Sequence, residues 1–391
     1  KDAAFHVTDV KKGERTKKAP LPFTTSTLQQ EASKVLNFST SKTMRLAQQL
    51  YEGIDIEGQG TVGIITYLRT DSTRVSEEAS RMATEYISQT YGEEYLHRGE
   101  TKKSSGKKIQ DAHEAIRPTD ITRLPAAVKD SLSRDQFRLY QLIWKRFTAS
   151  CMADAKYNTM AVKIDGGGYR FTVSASTVAF DGFMSVYVQD EEEKGGSMNL
   201  LKELGPDSEL TLKELEDKQH FTQPPAHYTE AALVKTLEEL GIGRPSTYAP
   251  TISTIIARRY VAKEGRNLYL TELGEVVNNM MKQAFPSIVE PDFTANVESL
   301  LDMVEEGKVS WKTVVSNFYP DLEEAVKKAE EDLEKVQIRD EVSDVVCEQC
   351  GRNMVVKYGP HGKFLACPGF PECRNTKPYL ETVPYTQLTL P

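Results

Sequence analysis

The chain has 391 residues, of which 39% are hydrophobic and 27% charged, and it carries a formal net charge of −8 at pH 7. Its length predicts roughly two to four packed domains, and the absence of any run of about 18 apolar residues argues against a membrane span. We expect a soluble, cytoplasmic protein that does not bind nucleic acid through bulk charge alone, because proteins that do so are usually basic.

The first predicted helix begins at Thr27. Thr27 and Gln30 have the spacing of a capping box, and apolar residues then recur at helical intervals. Further helices are predicted around residues 44–50 and after Ser76, where two glutamates occupy the first turn. Residues 27–150 are therefore expected to be mainly helical.

From about residue 156 the sequence changes to short alternations of apolar and polar residues. They occur at residues 159–164, 169–173 and 183–188, and three consecutive glycines follow the first of them. Alternation with period two predicts strands, and the glycines are typical of a hairpin turn. This part of the chain is predicted to be β-rich.

Helical spacing returns after Pro225. It runs over residues 233–240, stops at the turn 241–245 and resumes over 246–259, which is the outline of a helix-turn-helix. Residues 322–336 then predict an amphipathic helix whose outer face carries a surplus of acidic residues, a pattern typical of a solvated face.

Four cysteines near the end of the chain have the spacing of a metal site. Cys347 and Cys350 form one close pair, and Cys367 and Cys373 follow after sixteen residues as another. Four thiolates in two pairs suit a tetrahedral Zn²⁺ ion, whereas unpaired or disulfide-bonded cysteines are the alternative. The intervening cations and aromatic residues favour binding of single strands, although an ordinary ribbon surface would have the same residue types.

Two clusters carry groups suited to phosphodiester chemistry. In residues 66–72, Tyr67 is followed two positions later by Arg69, and a guanidinium can stabilise both a phenolate and a crowded phosphate. Without further information, a tyrosine packed at the end of a strand is the commoner arrangement. In residues 111–119, His113 could donate to a phosphate oxygen, whereas a structural histidine and a local Glu114–Arg117 ion pair are the alternative.

Four segments, in this order, closely resemble motifs of the bacterial type IA DNA topoisomerases. They are Phe23–Gln30, Thr66–Ser72, Ala112–Pro118 and Gly241–Tyr248, and the cysteine-rich end resembles the zinc ribbon of the same family. The resemblance extends from about residue 22 to about residue 378. A topoisomerase III is the rival within this class, while a non-catalytic single-strand-binding zinc protein and a purely structural zinc protein are rivals from other classes.

The resemblance implies a multidomain α+β fold in which four domains form a ring, followed by a small four-cysteine ribbon. A helical domain would carry the catalytic tyrosine, and the β-rich parts would form an arch. The expected boundaries are 1–26 and 151–222 for the arch, 27–150 for the tyrosine domain, 223–340 for a helical DNA-binding domain, 341–380 for the zinc ribbon and 381–391 for a tail.

The resemblance also implies ATP-independent relaxation of negatively supercoiled DNA. Tyr67 would attack a single strand and form a 5'-phosphotyrosyl link, Arg69 would stabilise the scissile phosphate, and His113 would contact the same strand. The implied DNA contacts are Arg74, Arg117, Arg244, Ser246, Thr247 and Tyr248. The family further implies a monomer in the bacterial cytoplasm, associated with the nucleoid, with RNA polymerase as a candidate partner.

The sequence departs from the family at one point. The family's N-terminal Toprim domain supplies a glutamate and an Asp-x-Asp-x-x-Gly motif that hold Mg²⁺, and the nearest counterpart here is residues 55–58, which we interpret as an ordinary acidic loop. We therefore expect these 391 residues alone to bind single-stranded DNA without cleaving or relaxing it, since attack by tyrosine needs the missing carboxylates and metal. Both termini are expected to be boundaries of a fragment.

Overall fold

The computed structural model of the protein describes residues 4–97, 113–188, 204–206, 208–333, 341–359 and 362–379. Contacts within the chain divide it into two compact units. The first consists of residues 1–271 and 285–320, and the second of residues 272–284 and 321–391. Asp111 and Ala112 of the predicted His113 cluster and the predicted 381–391 tail lie outside the described residues.

A helical core forms the centre of the first unit. Its elements are α1 (Thr25–Glu31), α2 (Thr40–Glu52), the short hairpin β2 (Ile54–Ile56) and β3 (Gly60–Val62), α3 (Glu77–Thr90) and α4 (Arg134–Ser150). Their apolar faces bury one continuous cluster that includes Phe23, Leu50, Ile87 and Phe147. None of the helices in the described part of the chain is long and apolar enough to cross a membrane.

The helix starts follow capping chemistry. Ser76 caps α3 as predicted, because its hydroxyl accepts from the Ala79 backbone N–H. The predicted start at Thr27 was wrong, since α1 begins at Thr25 and the capping box joins Thr24 to Thr27. Thr24 with Thr27 and Thr27 with Gln30 have the same spacing of three residues. The hydrogen bonds that Thr25 makes to Leu68 and Thr70 favour the earlier pair.

A four-stranded antiparallel sheet joins the beginning of the chain to its β-rich middle. Strands β1 (Phe5–Lys17), β4 (Ala155–Gly166), β5 (Tyr169–Phe180) and β6 (Glu209–Leu210) lie in the order β5-β4-β1-β6. Strand β1 pairs with β4 from Phe5 opposite Gly166 to Lys17 opposite Ala155. The pairing places residues 5–17 in one sheet with residues 155–180, far along the chain.

The strand predicted at residues 183–188 is absent. Residues Gly182–Ser185 form a 3₁₀ helix instead. Phe183 and Tyr187 are four positions apart, and both side chains pack into the helical core. An added Cβ at Gly182 would lie 2.4 Å from the Ala153 carbonyl oxygen, so the backbone at Gly182 packs directly against the backbone of Ala153 and leaves no room for a side chain. Core packing therefore overrides a weak alternation of apolar residues.

The helix-turn-helix prediction is confirmed. Helices α5 (Glu230–Leu240) and α6 (Tyr248–Ala257) are followed by the hairpin β7 (Val261–Glu264) and β8 (Asn267–Leu270). They bury a separate small cluster around Val234, Tyr248 and Ile252. The first unit also contains α8 (Pro286–Val289) and α9 (Pro291–Glu305). The helix that precedes them in the chain, α7 (Glu272–Ala284), belongs to the second unit.

The second unit ends in a small four-stranded sheet. Strands β9 (Glu341–Val346), β10 (Asn353–Gly359), β11 (Gly362–Ala366) and β12 (Thr376–Pro378) lie in the order β12-β11-β10-β9. Helix α10 (Trp311–Asp332) contains the amphipathic pattern predicted from residue 322 and ends before residue 336. Cys347, Met354 and Leu365 belong to the core of the sheet.

Candidate active site

The segment of residues 66–72 alternates exposed with buried side chains. The exposed side chains belong to Tyr67, Arg69 and Asp71, and the buried ones to Leu68, Thr70 and Ser72. One face therefore presents a phenol, a guanidinium and a carboxylate to solvent, while the other face anchors the segment.

Thr25 fixes the segment from one side. Its backbone N–H donates to the Thr70 carbonyl oxygen at 2.9 Å, and its hydroxyl donates to the Leu68 carbonyl oxygen at 2.7 Å. The same hydroxyl accepts from the Thr70 N–H at 2.9 Å. Thr25 is 0% exposed, so these bonds form where water does not compete.

The segment after His113 fixes it from another side. The Thr66 hydroxyl donates to the Ala115 carbonyl oxygen at 2.7 Å, and the Thr66 N–H donates to the Arg117 carbonyl oxygen at 2.9 Å. The Arg117 N–H in turn donates to the Thr66 hydroxyl at 2.9 Å. Three of the sequence motifs thus meet through backbone hydrogen bonds around Tyr67.

Two aromatic rings contact the ring of Tyr67, which is 36% exposed. His113 stacks on it with centroids 5.2 Å apart and planes inclined by 30°. Tyr51, at the end of α2, packs edge to face with centroids 5.5 Å apart. Sequence reasoning found His113 and missed Tyr51, which belongs to none of the four motifs and shows only ordinary helical spacing.

A cleft of about 260 Å³ adjoins this face. Its lining consists of Arg69 together with Ser41 and Met44 of α2 and Pro245, Ser246, Ala249, Pro250 and Ser253 of the helix-turn-helix. The hydroxyls of Ser41 and Ser253 hydrogen-bond to each other. Among the residues that the structure describes, no carboxylate pairs with Arg69, so its guanidinium is available for an anion.

The guanidinium of Arg117 has several partners within the protein. It donates to Glu114 at 2.8 Å, to the Pro118 carbonyl oxygen at 3.0 Å and to the Ser76 hydroxyl at 3.4 Å. Burial raises the pKa of Glu114, but the Arg117 guanidinium and the Ser76 backbone N–H outweigh it and leave that pKa below its usual value. The Arg117 side chain is only 12% exposed, so the geometry favours the predicted local ion pair.

The predicted DNA contacts in the turn before α6 differ in accessibility. Arg244 is exposed in part and pairs with Asp302 at 2.7 Å, and the Thr247 hydroxyl accepts from the Arg244 N–H at 2.9 Å. Tyr248 lies in the core of the helix pair, where burial raises the pKa of its phenol to about 12. Ser246 lines the cleft, and Arg74 is exposed on the surface. Their roles toward DNA stay predictions.

The described residues do not fit a magnesium site. Within that part of the chain, only the four cysteines bring three or more metal-binding side chains together. The carboxylate of Asp55, in the sequence counterpart of the acidic motif, accepts a hydrogen bond from Thr61 across the β2–β3 hairpin. Asp55 and Ile56 lie in strand β2 and Glu57 and Gly58 in the turn that follows, so this acidic segment forms a hairpin where a loop was predicted.

The four cysteines fit zinc. The Sγ atoms of Cys347, Cys350, Cys367 and Cys373 all lie within 4.8 Å of one another. Cys347 and Cys373 are 3.7 Å apart at sulfur, close to the roughly 3.8 Å edge of a tetrahedron with zinc–sulfur bonds of about 2.3 Å. The Asn375 amide donates to Cys347 Sγ at 3.4 Å, and a hydrogen bond donated to the sulfur stabilises the thiolate that zinc requires.

Comparison with known proteins identifies relatives of both parts of the chain. A family model described as DNA topoisomerase matches residues 1–316, and one described as topoisomerase DNA binding C4 zinc finger matches residues 344–382. The structure of full-length topoisomerase I from Thermotoga maritima is similar, with a TM-score of 0.73 and 36% sequence identity. The match covers 96% of this chain and 60% of the Thermotoga chain.

Proposed function

The chain belongs to the bacterial type IA DNA topoisomerases, and we propose that it supplies the nucleophile of an enzyme that relaxes negatively supercoiled DNA without ATP. The observation that carries the proposal is the exposed face of residues 66–72. There Tyr67 and Arg69 lie two positions apart on a segment anchored by buried hydrogen bonds, and His113 stacks on the nucleophile.

In the proposed reaction, the Oη atom of Tyr67 attacks a phosphorus atom of single-stranded DNA. The bond between phosphorus and the 3' oxygen breaks, the 5' phosphate becomes esterified to Tyr67, and the 3' oxygen leaves with a proton as a hydroxyl. The phosphotyrosyl ester retains the bond energy, so the reverse attack reseals the strand without ATP. The cut strand stays attached to the enzyme while another strand passes.

Arg69 and His113 support this attack in different ways. Arg69 is the nearest cation in sequence to the nucleophile and has no described acidic partner, so it can offer paired donors to the phosphate charge that builds during attack. His113 restricts the phenol by stacking and carries a ring N–H that can donate to the same strand.

We propose that the cleft at Arg69 binds a nucleotide next to the phosphate that Tyr67 attacks. Ser41, Ser246 and Ser253 contribute hydroxyls to its lining, and Met44 with two prolines contributes an apolar wall. Hydroxyl groups and a guanidinium suit a phosphate, and the apolar wall suits a sugar or base. Arg74 and Arg244 would add phosphate contacts along the same strand.

Magnesium is expected to supply charge stabilisation in the complete reaction, but the described residues offer it no site. We therefore propose that the 391-residue polypeptide, assayed alone, binds a single strand and does not cleave it. Cleavage then requires a separately supplied domain that carries the metal-binding carboxylates. Function as a monomer in the bacterial nucleoid, and binding to RNA polymerase, rest on family resemblance alone.

The test combines binding with adduct formation. A labelled oligonucleotide, single-stranded or duplex, is titrated with wild type and Tyr67→Phe across a salt series, with and without an added Toprim fragment and Mg²⁺. We expect salt-sensitive preference for the single strand in both proteins, and a covalent adduct only with wild type plus the added fragment. An adduct that persists in Tyr67→Phe, or none under any condition, contradicts the proposal.

A further inference from the structure

We propose that Tyr51 is a positioning residue for the nucleophile: its ring limits the orientations open to the Tyr67 phenol. The inference rests on the proposed function, since it concerns the residue that would attack DNA. The two rings pack edge to face, with centroids 5.5 Å apart and planes inclined by 70°. This geometry is one that aromatic pairs favour, because the positive edge of one ring meets the negative face of the other.

The location of the pair distinguishes it from ordinary core packing. Tyr51 is 39% exposed and Tyr67 is 36% exposed, although the residues next to them in sequence, Leu50 and Leu68, are almost completely buried. Rings at the surface gain less from the removal of water than rings in a core. The two rings therefore lie where a substrate can reach the Tyr67 phenol. The contact with Tyr51 restricts the motion of that phenol at the surface.

The backbone of Tyr51 is held against the strand that leads to Tyr67. The Ile64 N–H donates to the Leu50 carbonyl oxygen at 2.9 Å, which ties the last turn of α2 to that strand. An added Cβ at Gly63 would lie 2.5 Å from the Tyr51 carbonyl oxygen. Glycine at position 63 thus allows a close approach that sets the distance between the two tyrosines.

The segment at Gly63 and Ile64, which leads from β3 to Tyr67, has little freedom to shift. Thr119 binds it through two hydrogen bonds, one from its N–H to the Ile64 carbonyl oxygen and one from its hydroxyl to the Gly63 carbonyl oxygen, both 3.0 Å. With both backbones fixed, the remaining freedom of Tyr67 is rotation of its side chain among rotamers. The rings of Tyr51 and His113 both oppose that rotation by contact.

Limiting rotation matters for an attacking phenol. A nucleophile reacts efficiently only when it is held within about 3–3.5 Å of the target atom in the right direction, and misplacement lowers the rate without preventing substrate binding. Loss of the Tyr51 ring should therefore slow cleavage at saturating DNA and leave DNA affinity unchanged. An edge-to-face pair limits the effect to about 2- to 10-fold in rate.

The first experiment observes the ring directly in the 391-residue chain without DNA. Tyrosine is labelled with ¹³C in the ring, and the Tyr67 signal is assigned by its loss in Tyr67→Phe. Tyr51→Leu should move that signal toward the position of a free tyrosine, whereas Tyr51→Phe should leave it in place. An unchanged Tyr67 signal in Tyr51→Leu overturns the inference, as does an equal displacement in Tyr51→Phe.

The second experiment measures single-turnover cleavage with the added Toprim fragment and Mg²⁺. Tyr51→Leu should lose about 2- to 10-fold in rate at saturating oligonucleotide with an unchanged Kd, and Tyr51→Phe should restore most of the rate. Tyr169→Leu is the matched control, because Tyr169 is an exposed tyrosine at the beginning of β5. Circular dichroism checks that every variant is folded.

The outcomes separate the two proposals. A wild type that forms no adduct overturns the proposed function and this inference with it. An adduct in wild type together with an unchanged rate in Tyr51→Leu overturns only the positioning role. A rise in Kd with an unchanged saturated rate would make Tyr51 a DNA contact instead, which also contradicts the inference.

Discussion

The imidazole of His113 is stacked on the phenol ring of Tyr67, with 5.2 Å between the ring centroids and 30° between the planes. Two residues that belong to separate sequence motifs are therefore direct neighbours, and the histidine can act through its ring, through its N–H groups or through both. Substitutions that remove one property at a time distinguish these possibilities.

His113→Ala should lower the rate of oligonucleotide cleavage about 10- to 100-fold, the loss expected for one hydrogen bond to a charged group. His113→Phe keeps a ring against Tyr67 and removes the donor, so most of the loss should remain. Single-turnover cleavage with the added metal-binding domain measures both. Wild-type rates in His113→Phe would show that stacking is the whole contribution.

Arg69→Ala should lower cleavage by about 10²- to 10³-fold, as the loss of one donor to developing charge does in other enzymes. Removal of one phosphate contact should also reduce the salt dependence of single-strand binding, by about 0.7 in the slope of log K against log salt. Arg69→Lys should restore the slope but only part of the rate, because a lysine cannot form paired hydrogen bonds.

For Arg69, oligonucleotide titrations at several salt concentrations provide the slope, and single-turnover assays provide the rate. Arg170→Ala is a suitable control, since Arg170 pairs with Asp165 across the β4–β5 hairpin. Equal slopes in wild type and Arg69→Ala would contradict a phosphate contact at this residue.

Thr25→Val should lower the free energy of unfolding by about 1–3 kcal/mol, because it removes a buried hydroxyl that both donates and accepts and leaves Leu68 and Thr70 with unpaired backbone groups. Thr25→Ser keeps the hydroxyl and should lose less. Urea unfolding measures the difference. A Thr25→Ser variant less stable than Thr25→Val would show that the methyl group, and not the hydrogen bonds, is what matters.

Glu230 connects α5 to the beginning of α2 and should make stability depend on pH. Burial raises the pKa of its carboxyl, but hydrogen bonds from Lys263 and from the Thr40 N–H and hydroxyl outweigh burial and lower that pKa. A lowered pKa in the folded state means that the stabilisation is complete above the unfolded value of about 4.5 and is lost as pH falls through the folded value.

Glu230→Gln should therefore cost about 1–3 kcal/mol of unfolding free energy at pH 7, and the difference from wild type should shrink below about pH 4. Urea unfolding at both pH values measures it. Glu239→Gln is the matched control on the same helix, because the ion pair that Glu239 forms with Lys235 is exposed. A difference that stays constant with pH would contradict the linkage to this carboxyl.

The ribbon should bind one zinc ion per chain. Cys367→Ala should abolish that binding and remove the protection of backbone amides in residues 341–379 from hydrogen exchange, because a module of this size depends on its metal. Cys151→Ala is the control, since Cys151 packs against the helical core and does not belong to the four-cysteine group. Zinc retained in Cys367→Ala would mean that three thiolates suffice.

Much of the fold could be predicted from local patterns. The start of α3, the helix-turn-helix and the cysteine module follow from capping residues, apolar spacing and paired thiolates, all of which act over a few residues. The start of α1 and the strand at 183–188 were predicted wrongly. In each of these two segments, more than one local structure fits the sequence. Packing against residues far away in the chain selected the one that forms.

The sequence by itself determined the family and predicts the chemistry, because the Tyr67 motif and the four cysteines carry their reactive groups within short segments. Tertiary structure decided which charged side chains are available. It buried Tyr248 and left Arg69 at a cleft, since burial and accessibility arise from segments far apart in the chain. It also placed Tyr51 against Tyr67. The packing of two rings depends on their positions in space, and no motif or residue spacing in the sequence indicates it.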